Sequence, residues 1–165
     1  MSDSLVFMEK VIMAFNGKLL EFADKSTIPS SGDLTSSAIT WDELPMTYIF
    51  RESYVCAPNR RQDLDPYRDA DGYLHRNTLA HTATTIQFQT KPMWQHNMDA
   101  LMAFIRNHYT IALEKKVALR YYSMDTDSYK TGVFYVPDIE FTLNLVLPDE
   151  QRILYNSTTL EFIEY

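Results

Sequence analysis

Between Lys91 and Tyr109 the apolar residues fall at Met93, Trp94, Met98, Leu101, Met102, Ile105 and Tyr109. Steps of three and four place them on one face of a helix. Gln95, Asn97, Asp99, Ala103, Arg106 and Asn107 fill much of the rest. Pro92 sits near the start, where a missing N–H is harmless, and Arg106 near the end suits the helix dipole. The spacing predicts one amphipathic helix over 91–109. Almost everywhere else the pattern is that of strands and loops. The fold expected is mainly β with one α-helix (α+β), a β-rich domain that rests this amphipathic helix against a sheet.

Asn16-Gly17 separates the apolar run Leu5–Phe15 from Lys18–Phe22. This dipeptide favours a type I′ hairpin turn, because both central residues take positive φ. Strands are predicted at about 6–15 and 18–23; a short helix over 4–14, on Leu5, Met8 and Ile12, is the alternative. Residues 24–45 are rich in Ser, Thr, Pro and Asp and read as a long loop, with a short strand near Ala38–Trp41. Met46–Ala57 and Leu79–Thr90 read as two long strands bridged by a second long loop over 58–77. In the second strand Ile86 and Phe88 point one way, Gln87 and Gln89 the other. After the helix come predicted strands at Val117–Met124, Gly132–Pro137, Glu140–Leu147 and Arg152–Tyr165. Turns are expected at Asp125–Ser128 and Pro148–Glu150. No internal repeat is evident, and the 165 residues fit a single domain, 1–165.

Composition supports this outline. Hydrophobic residues make up 45%, enough for a real core. Aromatics reach 13%, including eleven Tyr and nine Phe, which favours strands. The formal net charge of -7 argues against a nucleic-acid binder, which carries a basic footprint. An acidic surface serves solubility, and would also let DNA slide past without sticking. The single cysteine, Cys56, excludes an intrachain disulfide and lies in an apolar run, as a buried inert thiol would. Met-Ser-Asp-Ser at the start has no basic n-region, so no signal peptide is expected, and no apolar run approaches a membrane span.

Tests for chemistry return little. Placing Gly72 at position 6 of a calcium loop puts Asp71 and Asp69 at positions 5 and 3, but Tyr67 at 1 and Thr78 at 12, so both ends fail. His75, His81, His96 and His108 form no His-x-x-x-His zinc pair and read as surface or interface residues. No nucleophile elbow, Walker loop or dinucleotide fingerprint occurs. Asp125 and Asp127 are a weak acid–base pair in a turn, with no oxyanion donor or base arranged around them. Asn156-Ser157-Thr158 is a formal glycosylation sequon that reads better as a turn or strand start. No catalytic, cofactor-binding or metal-ligating residue is therefore assigned, and no cofactor.

The order of short motifs carries a resemblance. Phe15-Asn16-Gly17-Lys18 comes first. Arg68-Asp69-Ala70-Asp71-Gly72-Tyr73-Leu74-His75-Arg76 then leads into the strand ending at Thr90, and the helix follows. Tyr121-Tyr122-Ser123, Gly132-Val133-Phe134-Tyr135-Val136-Pro137-Asp138 and Leu160-Glu161-Phe162-Ile163-Glu164 complete the series. Over most of its length the chain resembles a small family of structural proteins encoded in tail modules of phages and prophages. Members carry an "NGK" hairpin, an "R-x-A-x-G-x-x-x-R" loop, one helix and an "F-Y-V-G-D"-like strand. Here Pro137 replaces the glycine, and the loops are longer.

The resemblance implies a tail-tube-like fold, an antiparallel β-sandwich or distorted barrel flanked by a single helix, and a non-enzymatic subunit of the tail tube or an adjoining baseplate or adaptor ring. It implies a virion component assembled in the host cytoplasm. The partners implied are copies of itself in a ring, usually hexameric, neighbouring tail proteins, and DNA passing through a channel without specific binding; no membrane is involved. Within that reading Arg60, Arg61, Arg68, Asp69, Asp71 and Arg76 are the candidate interface residues. The alternatives are a monomeric ligand-binding β-barrel lined by aromatics, and a small hydrolase using Asp125 and Asp127.

Overall fold

A computed structural model describes residues 15–165. Its elements in chain order are β1 Leu20–Ala23, β2 Trp41–Glu43, a 3-10 turn Met46–Tyr48, β3 Ile49–Asp63, β4 Tyr67–Arg68, β5 Leu74–His75, β6 Thr78–Thr90 and β7 Met93–Trp94. They continue with α1 Gln95–Asn107, β8 Lys116–Ser123, β9 Ser128–Tyr135, β10 Leu143–Leu147, β11 Arg152–Tyr155 and β12 Thr159–Glu164. A seven-stranded antiparallel sheet runs β2-β1-β8-β9-β12-β6-β3; a three-stranded sheet runs β10-β11-β7; β4 and β5 pair alone. The mainly β architecture with one helix among the described residues agrees with the sequence pattern. The strand expected at 6–15, and its helical alternative, lie outside the described residues apart from Phe15. At the turn expected after it only Gly17 takes a positive φ, +91°, and Asn16 does not, so the type I′ geometry is not formed; the chain bends there with the Lys18 N–H donating to Asn16 Oδ1 at 3.0 Å.

The large sheet curls around its core. In a flat sheet β1 and β12 would lie roughly 14 Å apart, three strand spacings. Yet Phe22 of β1 and Phe162 of β12 meet edge to face with centroids 5.6 Å apart. Across the same concave side the Tyr54 hydroxyl of β3 donates to the Tyr122 carbonyl of β8 at 2.7 Å. Among the described residues no ladder joins β2 to β3, so the sheet remains open and no barrel closes. The helix covers the concave side with Met98, Leu101, Met102 and Ile105, all buried as the three–four spacing predicts.

Several boundaries differ from the sequence expectation. Met93 and Trp94 leave the helical face to pair with Tyr155 and Leu154, so the helix begins after them. Arg152–Tyr165 is two strands in two sheets. They are divided where the Ser157 hydroxyl donates to the Thr90 carbonyl at 2.6 Å and the Thr158 N–H to Thr90 Oγ1 at 2.9 Å. The segment expected at Glu140–Leu147 becomes strand only at Leu143. Residues 24–40 do form a long loop, but it packs Ile28, Leu34 and Ile39 over Ala23 and Ala118 on the convex side. Asp24 and Asp33 shape it through Asx-type bonds from the N–H groups of Ser26 and Thr35, each 2.9 Å.

His108 departs from the surface role expected of it. It is 11% exposed at the helix C-terminus, with Nε2 2.8 Å from Asp42 Oδ2 and Nδ1 2.7 Å from the Phe104 carbonyl oxygen. It ties α1 to the edge strand β2.

Candidate assembly surface

The second long loop expected, 58–77, is largely strand. β3 continues to Asp63 and pairs with β6 as far as Asp63↔Thr78. Arg60, Arg61 and Gln62 made this stretch look like a loop, because both of its faces are polar and exposed. β12 accompanies β6 only over residues 85–89. Among the described residues Thr78–Ala83 thus have β3 on one side and no strand on the other. The two strands leave the sheet as a ribbon projecting roughly 20 Å, at about 3.3 Å per residue.

β3 is an edge strand, which is where Pro58 can be tolerated without breaking a ladder. Its register shifts between Phe50 and Val55 and again between Ala57 and Arg60. Next to Pro58, Asn59 adopts a positive φ of 51°. These interruptions bend and twist the strand where it leaves the body.

The tip is held by its own side chains. Arg76 forks onto Asp63, Nε to Oδ2 at 2.7 Å and Nη2 to Oδ1 at 3.1 Å, and the Thr78 hydroxyl donates to Asp63 Oδ1 at 2.8 Å. The Arg76 bond, with that of Thr78, holds the Asp63 carboxyl below the ordinary aspartate range. Asp69 caps the β4–β5 turn: it accepts the N–H groups of Asp71 (3.1 Å) and Tyr73 (2.9 Å) and the His75 Nε2–H (2.7 Å). Its carboxyl is likewise lowered, the His75 bond being the largest cause. Gly72, at φ +86°, supplies the left-handed residue that closes this hairpin. Arg68 donates to the Gly72 carbonyl at 2.8 Å, and Arg61 to the carbonyls of Leu79 and Ala80 at 3.4 and 3.2 Å.

All six candidate interface residues therefore lie on this ribbon. Four of them, Arg61, Arg68, Asp69 and Arg76, bond within it, while Arg60 and Asp71 make no side-chain bond among the described residues.

Sequence reasoning passed over the apolar residues of the same tip. Leu64 (52% exposed), Tyr67, Tyr73 (70%) and Leu74 stand in solvent, with Tyr67 stacked on His75 at 4.8 Å. The available signal was their presence in a loop otherwise made of Arg, Asp and Asn. A second exposed apolar strip runs along β10 and the segment before it: Phe141, Leu143, Leu145 and Val146. β10 is the outer strand of the small sheet, and its far edge is unpaired among the described residues.

The groups tested for chemistry have structural partners. Asp125 accepts from the Ser123 hydroxyl and Asp127 from the Tyr122 hydroxyl, at 3.0 Å for the latter, within the β8–β9 turn. Cys56 is half-buried, and burial raises its thiol pKa. Phe22, Phe88, Phe134 and Phe162 are fully buried in one cluster, whereas Trp41, Tyr121 and Tyr129 line a cleft. An open cleft of about 640 Å³ between the 34–41 loop and the convex face is walled by Arg120, Lys130 and Glu164 as well as Trp41. No group of three His, Cys, Asp or Glu side chains comes together among the described residues. No helix there is long and apolar enough to cross a membrane.

A model described as a family of unknown function, DUF6711, matches residues 39–165. No curated protein matches the chain. Among solved structures, the chain is similar to one from the tail of an empty gene-transfer-agent (GTA) particle, computed with helical refinement and C6 symmetry. Identity is 13% and the TM-score 0.45, over 92% of this chain and 94% of that one.

Proposed function

The chain belongs to this family of unknown function, and from that premise we propose that it is a non-enzymatic structural subunit of a phage-type tail. Its place is the tail tube or a tube-adjacent baseplate or adaptor ring, as a single domain over 1–165. The observation that carries the reading is the ribbon of β3 and β6. An exposed two-stranded ribbon buries too little to be stable by itself, and one tipped with Leu64, Tyr67, Tyr73 and Leu74 is an aggregation hazard in a solitary protein. Both features make sense when other subunits cover them. Arg60, Arg61, Arg68, Asp69, Asp71 and Arg76 then take part in subunit contacts, in rings that the motif resemblance expects to be hexameric. The net charge of -7 suits a channel through which DNA moves without specific binding.

Negative-stain microscopy of the purified protein, with sedimentation from micromolar to millimolar concentration, tests the proposal. Annular or tubular particles are expected. A protein that stays monomeric throughout, with a small molecule held in the convex-face cleft, overturns it in favour of a ligand-binding domain.

A further inference from the structure

The two exposed apolar strips lie at opposite ends of the same strand. The ribbon tip extends from the Thr78 end of β6; the β10–β11–β7 sheet begins three residues past its Thr90 end. Thirteen residues of strand separate them by roughly 40 Å, so one molecule cannot bring its own tip onto its own β10. A second copy, translated along that strand, can.

What each strip lacks, the other offers. Among the described residues β10 has an unpaired row of backbone groups on its outer edge, and it carries Leu143, Leu145 and Val146 exposed. The tip is a small hairpin, β4–β5, whose outer edges are also unpaired among the described residues, and it brings Leu64, Tyr67, Tyr73 and Leu74. Charges match as well. Arg60, Arg61 and Arg68 on the ribbon have no carboxylate partner among the described residues, for the bonds of Arg61 and Arg68 go to carbonyls. Of the acids between residues 138 and 152, Asp138 pairs with Lys115 and Glu150 with Arg152, which leaves Glu140 and Asp149 without a cationic partner among the described residues.

We infer that the ribbon tip of one copy docks on the β10 edge of the next, extending the small sheet by strand addition. The inference rests on the subunit reading above and adds the identity of the two surfaces and their order. Because donor and acceptor differ, the contact is head-to-tail, and with the two strips at opposite ends of β6 it runs from copy to copy along that strand as an open stack. It is the contact that stacks one layer on another, while lateral contacts close each layer.

The test uses the full chain in three forms: wild type, an edge variant (Leu145→Lys with Val146→Lys) and a tip variant (Tyr73→Ser with Leu74→Ser). Lysines on an edge strand oppose strand addition, and all four positions are exposed, so the fold is expected to survive. Circular dichroism and melting check that it does. Sedimentation and microscopy are expected to find stacked species in wild type and at least a tenfold loss of them in each variant alone. An equimolar mixture is expected to regain pairs, one layer of each variant, and nothing longer, since only one tip–edge combination is intact.

Stacks that persist in the folded edge variant overturn the β10 assignment and leave the subunit reading standing. Rings in wild type with no stacking do the same. A wild-type chain that never associates overturns both. A mixture that fails to pair overturns the head-to-tail order.

Discussion

Glu21 sits 1% exposed on β1, directly across the ladder from Arg120 on β8. Arg120 forks onto it, Nε to Oε2 at 2.7 Å and Nη2 to Oε1 at 2.9 Å, while Lys18 reaches Oε1 only at 3.4 Å. The Trp41 ring covers the guanidinium at 4.9 Å. Replacing Arg120 by Ala leaves a buried carboxylate without its main partner. Breaking such a pair costs about 3–5 kcal/mol when both ions are buried. Arg120 is 31% exposed, so the low end, about 3 kcal/mol, is expected. For a chain of this length that lowers the melting temperature by about 6–12 °C.

The asymmetry is the sharper test. Glu21→Ala leaves Arg120 able to turn to water, so it is expected to cost about 1 kcal/mol beyond lost packing. Glu21→Leu with Arg120→Leu removes both charges and is expected within about 1 kcal/mol of wild type. Thermal and urea unfolding of the four proteins measure all three differences. An Arg120→Ala protein melting within 2 °C of wild type (roughly 1 kcal/mol or less), or one more stable than Glu21→Ala, refutes the buried-partner account.

Three further outcomes are expected. A Cβ on Gly132 would lie 2.8 Å from Glu164 Oε1 and 3.0 Å from the Phe134 ring, so Gly132→Ala displaces the carboxylate that accepts the Thr84 N–H; a loss of about 1–3 kcal/mol in urea unfolding checks it. Cys56, with its thiol pKa raised by burial, is expected to react more slowly with a disulfide reagent at pH 7 in the native protein than in urea. Asp63 and Asp69 have lowered pKa values in the fold, so their stabilisation of the tip is complete above the ordinary aspartate range, about pH 4, and is lost as pH falls through the lowered values. Hydrogen exchange over residues 63–78 at pH 7 and 3, corrected for intrinsic rates, should reveal lost protection there before the core.

Periodicity served well where one face of an element meets the core. Met98, Leu101, Met102 and Ile105 gave the helix its face, and Ile86 and Phe88 gave β6 its orientation. It failed where neither face is buried. Arg60, Arg61 and Gln62 carry no alternation because nothing packs on them, so the outer half of β3 read as loop. The break at Asn156–Thr158 was hidden for another reason: it depends on bonds to Thr90, distant in sequence. The apolar tip was in plain view, but Leu64, Tyr67, Tyr73 and Leu74 match no periodic template. The six charged candidates were placed together on the ribbon, yet the chain cannot announce that Asp69 caps a turn while Asp71 faces solvent.

The kinked outer strand bears on how the free protein meets other chains. A long straight border of unmet amide groups would recruit any extended polypeptide in a crowded cell. Here Pro58 supplies no N–H, Asn59 turns the backbone to positive φ, and the shift between Phe50 and Val55 throws the repeat out of step. An arbitrary strand laid alongside loses its bonds within a few residues. The border is therefore a poor template for arbitrary strands, and on the subunit reading proposed above a partner has to match the same irregularities.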